Sequence, residues 1–196
     1  MVTKRVHKRQ LLLIEDDYVR QVLEYTLAHY VSEHKLDLHA IIVEGNHVHR
    51  VDTDPKGNRP DFLRDFHSFV ARQLNRYYKE GDAFFSGKQT NIVDNESAND
   101  ILQRIVYTMG NPVADGIERE GKNHKGTRLR WPQPDRVIKR PEGFWRPKEK
   151  GGKAPDTVVL RFTRPPGFEE LSDEELDQLL ESRILAYEKH HRETRD

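Results

Sequence analysis

The sequence predicts an α+β domain, an antiparallel sheet with helices packed on it. Three observations predict it. Short runs rich in β-branched residues alternate with longer segments whose apolar residues recur at helical spacing. These segments follow one another as strand, helix, strand, strand, helix, strand, helix. The two adjacent strands are joined by Glu44-Gly45-Asn46, a turn compatible only with antiparallel pairing.

Residues 10–14 read as the first strand. Glu15, Asp16 and Asp17 put carboxylates at a helix start, where the dipole favours them. That helix is predicted over 18–34, with Val19, Val22, Leu23, Tyr25, Leu27 and Val31 as its apolar positions. Residues 36–43 and 47–51 form the strand pair. Residues 54–60, with two prolines and a glycine, form a loop. Asp61 caps a helix running to Glu80, with Phe62, Phe66, Phe69, Val70 and Leu74 at helical spacing. A short strand is predicted over 89–93. Asn95 or Ser97 caps a third helix, 98–110, and Asn111-Pro112 ends it because the residue before proline avoids the α region. Beyond residue 121 Pro, Gly, Lys and Arg dominate up to residue 155. A strand over 157–162 follows, and Ser172 and Glu175 form a capping-box pattern for a last helix ending near His191. The chain divides into 1–120 and an extension, 121–196.

Composition sets the bounds. The chain of 196 residues is 35% hydrophobic and 34% charged, so its core is modest. The absence of cysteine excludes disulfides, zinc–thiolate sites and thiol catalysis. No apolar run approaches a membrane span, and a soluble, cytoplasmic protein is expected. The net charge of +0 hides an asymmetry: residues 121–164 carry 13 Lys/Arg against 4 Asp/Glu, and residues 168–196 carry 10 Asp/Glu against 4 Lys/Arg. The basic stretch could meet phosphates. The acidic one could lie against it or be solvated.

Two short motifs carry chemistry. In His47-Val48-His49 both imidazoles share one strand face, the beginning of a divalent-metal site, though such pairs are also common without a metal. In the third helix Ala98, Leu102, Ile105, Val106 and Met109 form one stripe, with Tyr107 opposite it and Asn111 one turn further along on the same face. Each feature alone also fits a plain structural role.

Together they resemble the single-tyrosine HUH transposases, most closely the REP-associated tyrosine transposases. The resemblance rests on Asn46-His47-Val48-His49 after a strand and on Tyr107-Thr108-Met109-Gly110-Asn111-Pro112-Val113, and it covers about residues 1–120. It implies a ferredoxin-like palm. It also implies Mg²⁺ or Mn²⁺ held by His47, His49 and Asn111, with Tyr107 as the nucleophile that cuts single-stranded DNA near a hairpin through a 5′-phosphotyrosine. Such an enzyme would be nucleoid-associated and act as a monomer or homodimer. Three departures stand out: Glu44-Gly45 before the histidine motif, Arg50 after it, and Gly110 beside Asn111.

In the extension, Arg128, Arg130, Trp131, Lys139, Arg140, Trp145 and Arg146 interleave bases and aromatics, as single-strand binders do. A connector whose tryptophans pack back on the palm would read the same way. Leu176, Leu179, Leu180, Ile184 and Tyr187 line one side of the last helix, which is expected to dock on the body. Tyr77-Tyr78 is the rival to Tyr107. The alternative functions are a non-cleaving hairpin-binding protein, which would need none of the four site residues, and a metal-dependent hydrolase of small substrates, for which Tyr107 would be dispensable.

Overall fold

The computed structural model describes residues 1–13, 16–88, 90–94, 97–144 and 154–195. Its elements are β1 (Val2–Arg5), α1 (Asp17–His34), β2 (Asp37–Glu44), β3 (His47–Thr53), α2 (Arg59–Tyr78), β4 (Asn91–Ile92), α3 (Ala98–Ala114), β5 (Arg128–Arg130), β6 (Arg136–Lys139), β7 (Thr157–Leu160) and α4 (Asp173–Glu193). The main sheet has the order β4-β1-β3-β2-β5, and every neighbouring pair is antiparallel. β6 and β7 form a separate antiparallel pair beside α1.

Strand alternation assigns the helices to the two faces of the sheet. Arg50 projects from β3 beneath the ring of Phe62 on α2, whereas the neighbouring His49 meets Tyr107 on α3. The α2 face holds an aromatic core of Tyr25, Tyr30, Phe62, Phe66 and Phe69. Arg50 departs from the apolar residue expected after the histidine motif because it is paired: Asp52, itself buried, accepts from Arg50 and from Arg59. A buried charge is tolerated only with such partners.

α3 lies on the opposite face, between the sheet and α4. The Ser97–Asp100 capping box sets its start and the Ser172–Glu175 box sets the start of α4. Leu176, Leu180 and Ile184 are buried, so α4 docks on the body. Gly110 is the point of closest approach. A methyl group there would overlap Tyr187 Cδ1 and lie 2.9 Å from Cε1. The unusual glycine is therefore what lets the Tyr187 ring sit against α3.

Several predicted boundaries are corrected. The first strand is Val2–Arg5, not 10–14: Leu11 is 66% exposed, and Leu13 is buried in a loop that donates its N–H to Gly45 O. α2 starts two residues before Asp61, because Asp54 accepts from the N–H groups of Asn58 and Arg59 and Pro60 fits the first turn. α3 does not stop at Gly110. Pro112 sits inside its last turn, where it loses a single hydrogen bond, and the buried Asn111, Pro112 and Val113 hold the helix on to Ala114. The strand predicted over 89–93 pairs only at Asn91–Ile92, and the one over 157–162 ends at Leu160. β5 and β6 are too short and too charged to show apolar alternation, and neither was predicted. Among the described residues, no helix is long and apolar enough to cross a membrane.

Gly110→Ala is expected to destabilise the fold by about 1–3 kcal/mol in urea denaturation, as overpacked sites do. Adding Tyr187→Ala should recover part of that loss. A purely additive double mutant would mean that the two side chains do not compete for space.

Candidate metal and tyrosine site

The β2–β3 hairpin positions three of the site's side chains. Glu44 pairs with His47 across the Gly45-Asn46 turn, and Ile42 pairs with His49. His47 and His49 are 7% and 4% exposed, their rings perpendicular with centroids 4.6 Å apart. Both point to the α3 face, the arrangement that strand alternation dictates. β1 contributes from the other side, where Thr3 is opposite His49 and Arg5 opposite His47. Thr3 Oγ1 and His49 Nδ1 share a hydrogen bond of 2.8 Å, and His47 Nδ1 is 2.7 Å from Asn46 Oδ1.

α3 brings the rest. Tyr107, Asn111 and the C-cap Asp115 follow one another four residues apart and so share a face. The Tyr107 ring is 5.5 Å from the His49 ring, centre to centre. Asn111 donates from Nδ2 to Glu44 Oε1 at 2.9 Å and to Asp115 Oδ2 at 3.3 Å. Glu44 Oε2 lies 3.0 Å from His47 Nε2. Glu44, His47 and Asp115 each offer a ligand atom within 4.8 Å of the others.

Burial and charge set the protonation of the site. Burial, reinforced by neighbouring His47, pulls His49 down to about 4, so it is neutral near pH 7. Burial opposes ionisation of Glu44, but the adjacent His47 ring and the Asn111 amide outweigh it and hold the carboxyl below its ordinary value. Burial raises the Tyr107 phenol, Asp115 and Glu44 raise it further, and Arg5 and Arg104 act in the opposite sense. Carboxylate oxygens beside imidazole nitrogens suit Mg²⁺ or Mn²⁺. Glu44 Oε2, buried and without a hydrogen bond, is the kind of atom such an ion would satisfy. The donor set therefore fits the metal.

Two concavities flank Tyr107. One, of about 260 Å³, is lined by Thr3, Lys4, Arg5, His49, Lys88 and Asn91, among others. The other, of about 470 Å³, lies between α3 and α4 and includes Arg104, Arg183 and Tyr187.

The structure brings Tyr107, His47, His49 and Asn111 together; the basic candidates of the extension lie elsewhere. Arg128 donates to Met109 O and pairs with Glu188, and Arg130 pairs with Asp177 and Glu181. Trp131 is 7% exposed, packed in the core, and Arg140 pairs with Asp156. The acidic helix thus lies against the basic segment. Of the predicted set Lys139 is exposed, and Trp145 and Arg146 lie outside the described residues. Tyr77 donates to Asp16 and stacks on Tyr18, and Tyr78 donates to Leu12 O, so the rival tyrosines have other work.

Sequence reasoning missed Glu44, Asp115, Arg5 and Arg104. Asp115 was legible as the next residue on the Tyr107–Asn111 face. Glu44 was legible as the partner of His47 across a tight hairpin. Arg5 required knowledge of β1. Comparison with known protein families, curated proteins and solved structures finds no match to this chain.

His49 and His67 are lowered from 6.5 to about 4 and about 3, both chiefly by burial. These two rings bind fewer protons in the folded than in the unfolded protein below pH 6.5, so their contribution is full above that value and falls toward pH 4 for His49 and toward pH 3 for His67. In buffer containing EDTA, each should contribute a slope of up to about 1.4 kcal/mol per pH unit in that window. His67→Phe is expected to flatten its share in denaturation curves taken at stepped pH. An unchanged slope would show that His67 is not held neutral.

Proposed function

We propose that the chain is a metal-dependent endonuclease and strand transferase acting on single-stranded DNA beside a hairpin, a tyrosine transposase of the HUH type working in the cytoplasm on nucleoid DNA. One observation carries the reading: a tyrosine in the C-terminal half of a helix meets two imidazoles of a single strand, 5.5 Å from His49 and with His49 in turn 4.6 Å from His47. The strand order β4-β1-β3-β2, with helices following β1 and β3, supports a ferredoxin-like palm beneath that site. All of these groups come from one chain, which supports cleavage without a second subunit.

A bound Mg²⁺ or Mn²⁺ would neutralise the non-bridging oxygens of the scissile phosphate. The chain's own groups do the rest. The Tyr107 phenol loses its proton to water, and its oxygen attacks phosphorus in line with the departing 3′-oxygen. A tyrosine–phosphorus ester forms, the P–O3′ bond breaks, and the 3′-oxygen takes up a proton. The products are a 5′-phosphotyrosine and a free 3′-hydroxyl. The ester retains the bond energy, so a second 3′-hydroxyl can displace Tyr107 and rejoin a strand. Because Glu44 and Asp115 oppose the phenolate, the reaction depends on cationic charge at the site.

The unpaired basic groups next to Tyr107 support a path for the strand. Among the described residues Arg5, Lys88, Arg104 and Arg183 have no carboxylate partner, and they occupy the two concavities on either side of Tyr107. Arg128, Arg130, Arg136, Arg140, Arg161 and Arg164 are each paired with an acid. The backbone therefore runs past Tyr107 between β1 and the α3–α4 groove, and the half-buried Tyr187 offers a ring for stacking.

Tyr107→Phe should abolish the covalent protein–DNA adduct formed with Mn²⁺ on hairpin oligonucleotides while leaving binding in place. An adduct surviving in that variant would reassign the nucleophile. Hairpin binding by the wild type with no metal-dependent cut would instead favour a non-cleaving binder. Arg5→Ala with Arg104→Ala should weaken single-strand affinity about tenfold and lower the salt slope by about 1–2. Lys139→Ala should leave affinity unchanged; the reverse pattern would return the strand to the extension.

A further inference from the structure

The end of β2 holds a carboxylate where burial is costly. Glu44 is 1% exposed, and an ionised carboxylate at such a place must have each oxygen satisfied. Oε1 accepts from Asn111 Nδ2 at 2.9 Å. Oε2 is buried, makes no hydrogen bond, and stands 3.0 Å from His47 Nε2. The other nitrogen of that ring faces Asn46 Oδ1 at 2.7 Å. An amide oxygen accepts, so Nδ1 carries a ring proton, and in the neutral ring Nε2 turns its lone pair toward Oε2. With the ring neutral, two lone pairs that close repel unless a cation lies between them.

The spacing suits a divalent ion. Two ligand atoms at right angles, each about 2.1 Å from an octahedral Mg²⁺, stand about 3.0 Å apart. Asp115, exposed at the end of α3, brings a third ligand atom within 4.8 Å of the other two. Asn111, by contrast, turns its amide nitrogen toward both carboxylates, and a nitrogen bearing two hydrogens does not bind a cation.

We propose that Glu44 is a direct ligand of the divalent ion together with His47 and Asp115, and that Asn111 is a positioning residue that aims the two carboxylates. The proposal rests on the site being a divalent-metal centre. It changes the donor set implied by the transposase resemblance, in which His47, His49 and Asn111 coordinate, by leaving out His49 and Asn111, and it gives a role to Glu44, one of this sequence's departures from that pattern. A set with two carboxylates is harder than one of two imidazoles and an amide, so it favours Mg²⁺ and Mn²⁺ over softer ions.

Calorimetric titration of the full chain with Mn²⁺ alone tests it. The wild type should bind one ion. Glu44→Gln, nearly isosteric, should weaken Kd at least about tenfold, and Glu44→Asp should weaken it less. Asp115→Asn should weaken it several-fold. Asn111→Ala should weaken it about tenfold with the one-ion stoichiometry kept, in the range seen when groups that orient ligands are removed. Thermal melts in EDTA establish that each variant folds, and Asp115→Asn, at an exposed position, serves if Glu44→Gln does not. Wild-type affinity in both Glu44→Gln and Asp115→Asn would overturn the proposal; persistence of the Tyr107 adduct in those variants would show that the cleavage reading stands without it. No Mn²⁺ uptake by the wild type would also overturn it, leaving a buried ion pair between Glu44 and His47. Loss of Mn²⁺ binding in Glu44→Gln supports the ligand assignment even if no oligonucleotide yields an adduct.

Discussion

The close docking of α4 on α3 is the constraint on which the site depends. Tyr107, Asn111 and Asp115 sit near the end of a helix that carries a proline in its last turn and a glycine beside it. An isolated helix of that composition frays at this end. Here the Tyr187 ring lies against Gly110, Leu180 and Ile184 are buried, and Arg195 donates to Val113 O, so the last turn is held from outside. The phenol and the amide are thereby fixed relative to the histidines on the sheet.

The same docking distributes charge. Asp177, Glu181 and Glu188 meet the guanidinium groups of Arg130 and Arg128, which β5 presents at the edge of the sheet. Those pairs remove the arginines most prominent in the sequence from the surface available to an anion. The positive groups left unpaired next to Tyr107 come from β1, the loop before β4, α3 and the α3-facing side of α4. Overall charge neutrality thus coexists with a local field that can receive a phosphate backbone.

The local chemistry was legible wherever it depended on a single element's period. His47 and His49 share a face because they are two apart on a strand, and Tyr107 and Asn111 because they are four apart on a helix. The Ser172–Glu175 capping box announced α4 for the same reason, and Ser97 was one of the two caps offered for α3. Errors arose where tertiary packing overrode a local rule. Asn111-Pro112 reads as a helix end, yet both residues are buried and the helix continues. Residues 10–14 read as a strand, yet the strand lies nearer the start of the chain, where Val2–Arg5 finds β3 and β4 as partners.

By itself, the sequence determined the class of fold, the hairpin carrying two imidazoles, and the helix face carrying a phenol and an amide, because each follows from the repeat of one strand or helix. Only the tertiary structure decided that these two faces meet, and that Glu44 and Asp115 join them. Glu44 and Asn111 stand 67 positions apart, and Arg128 and Glu188 stand 60 apart. No local period relates residues at such separations. Their meeting is set by the order of strands in the sheet and by which helix covers which face, and that is also what determines whether a charged side chain finds a ligand, an acid or water.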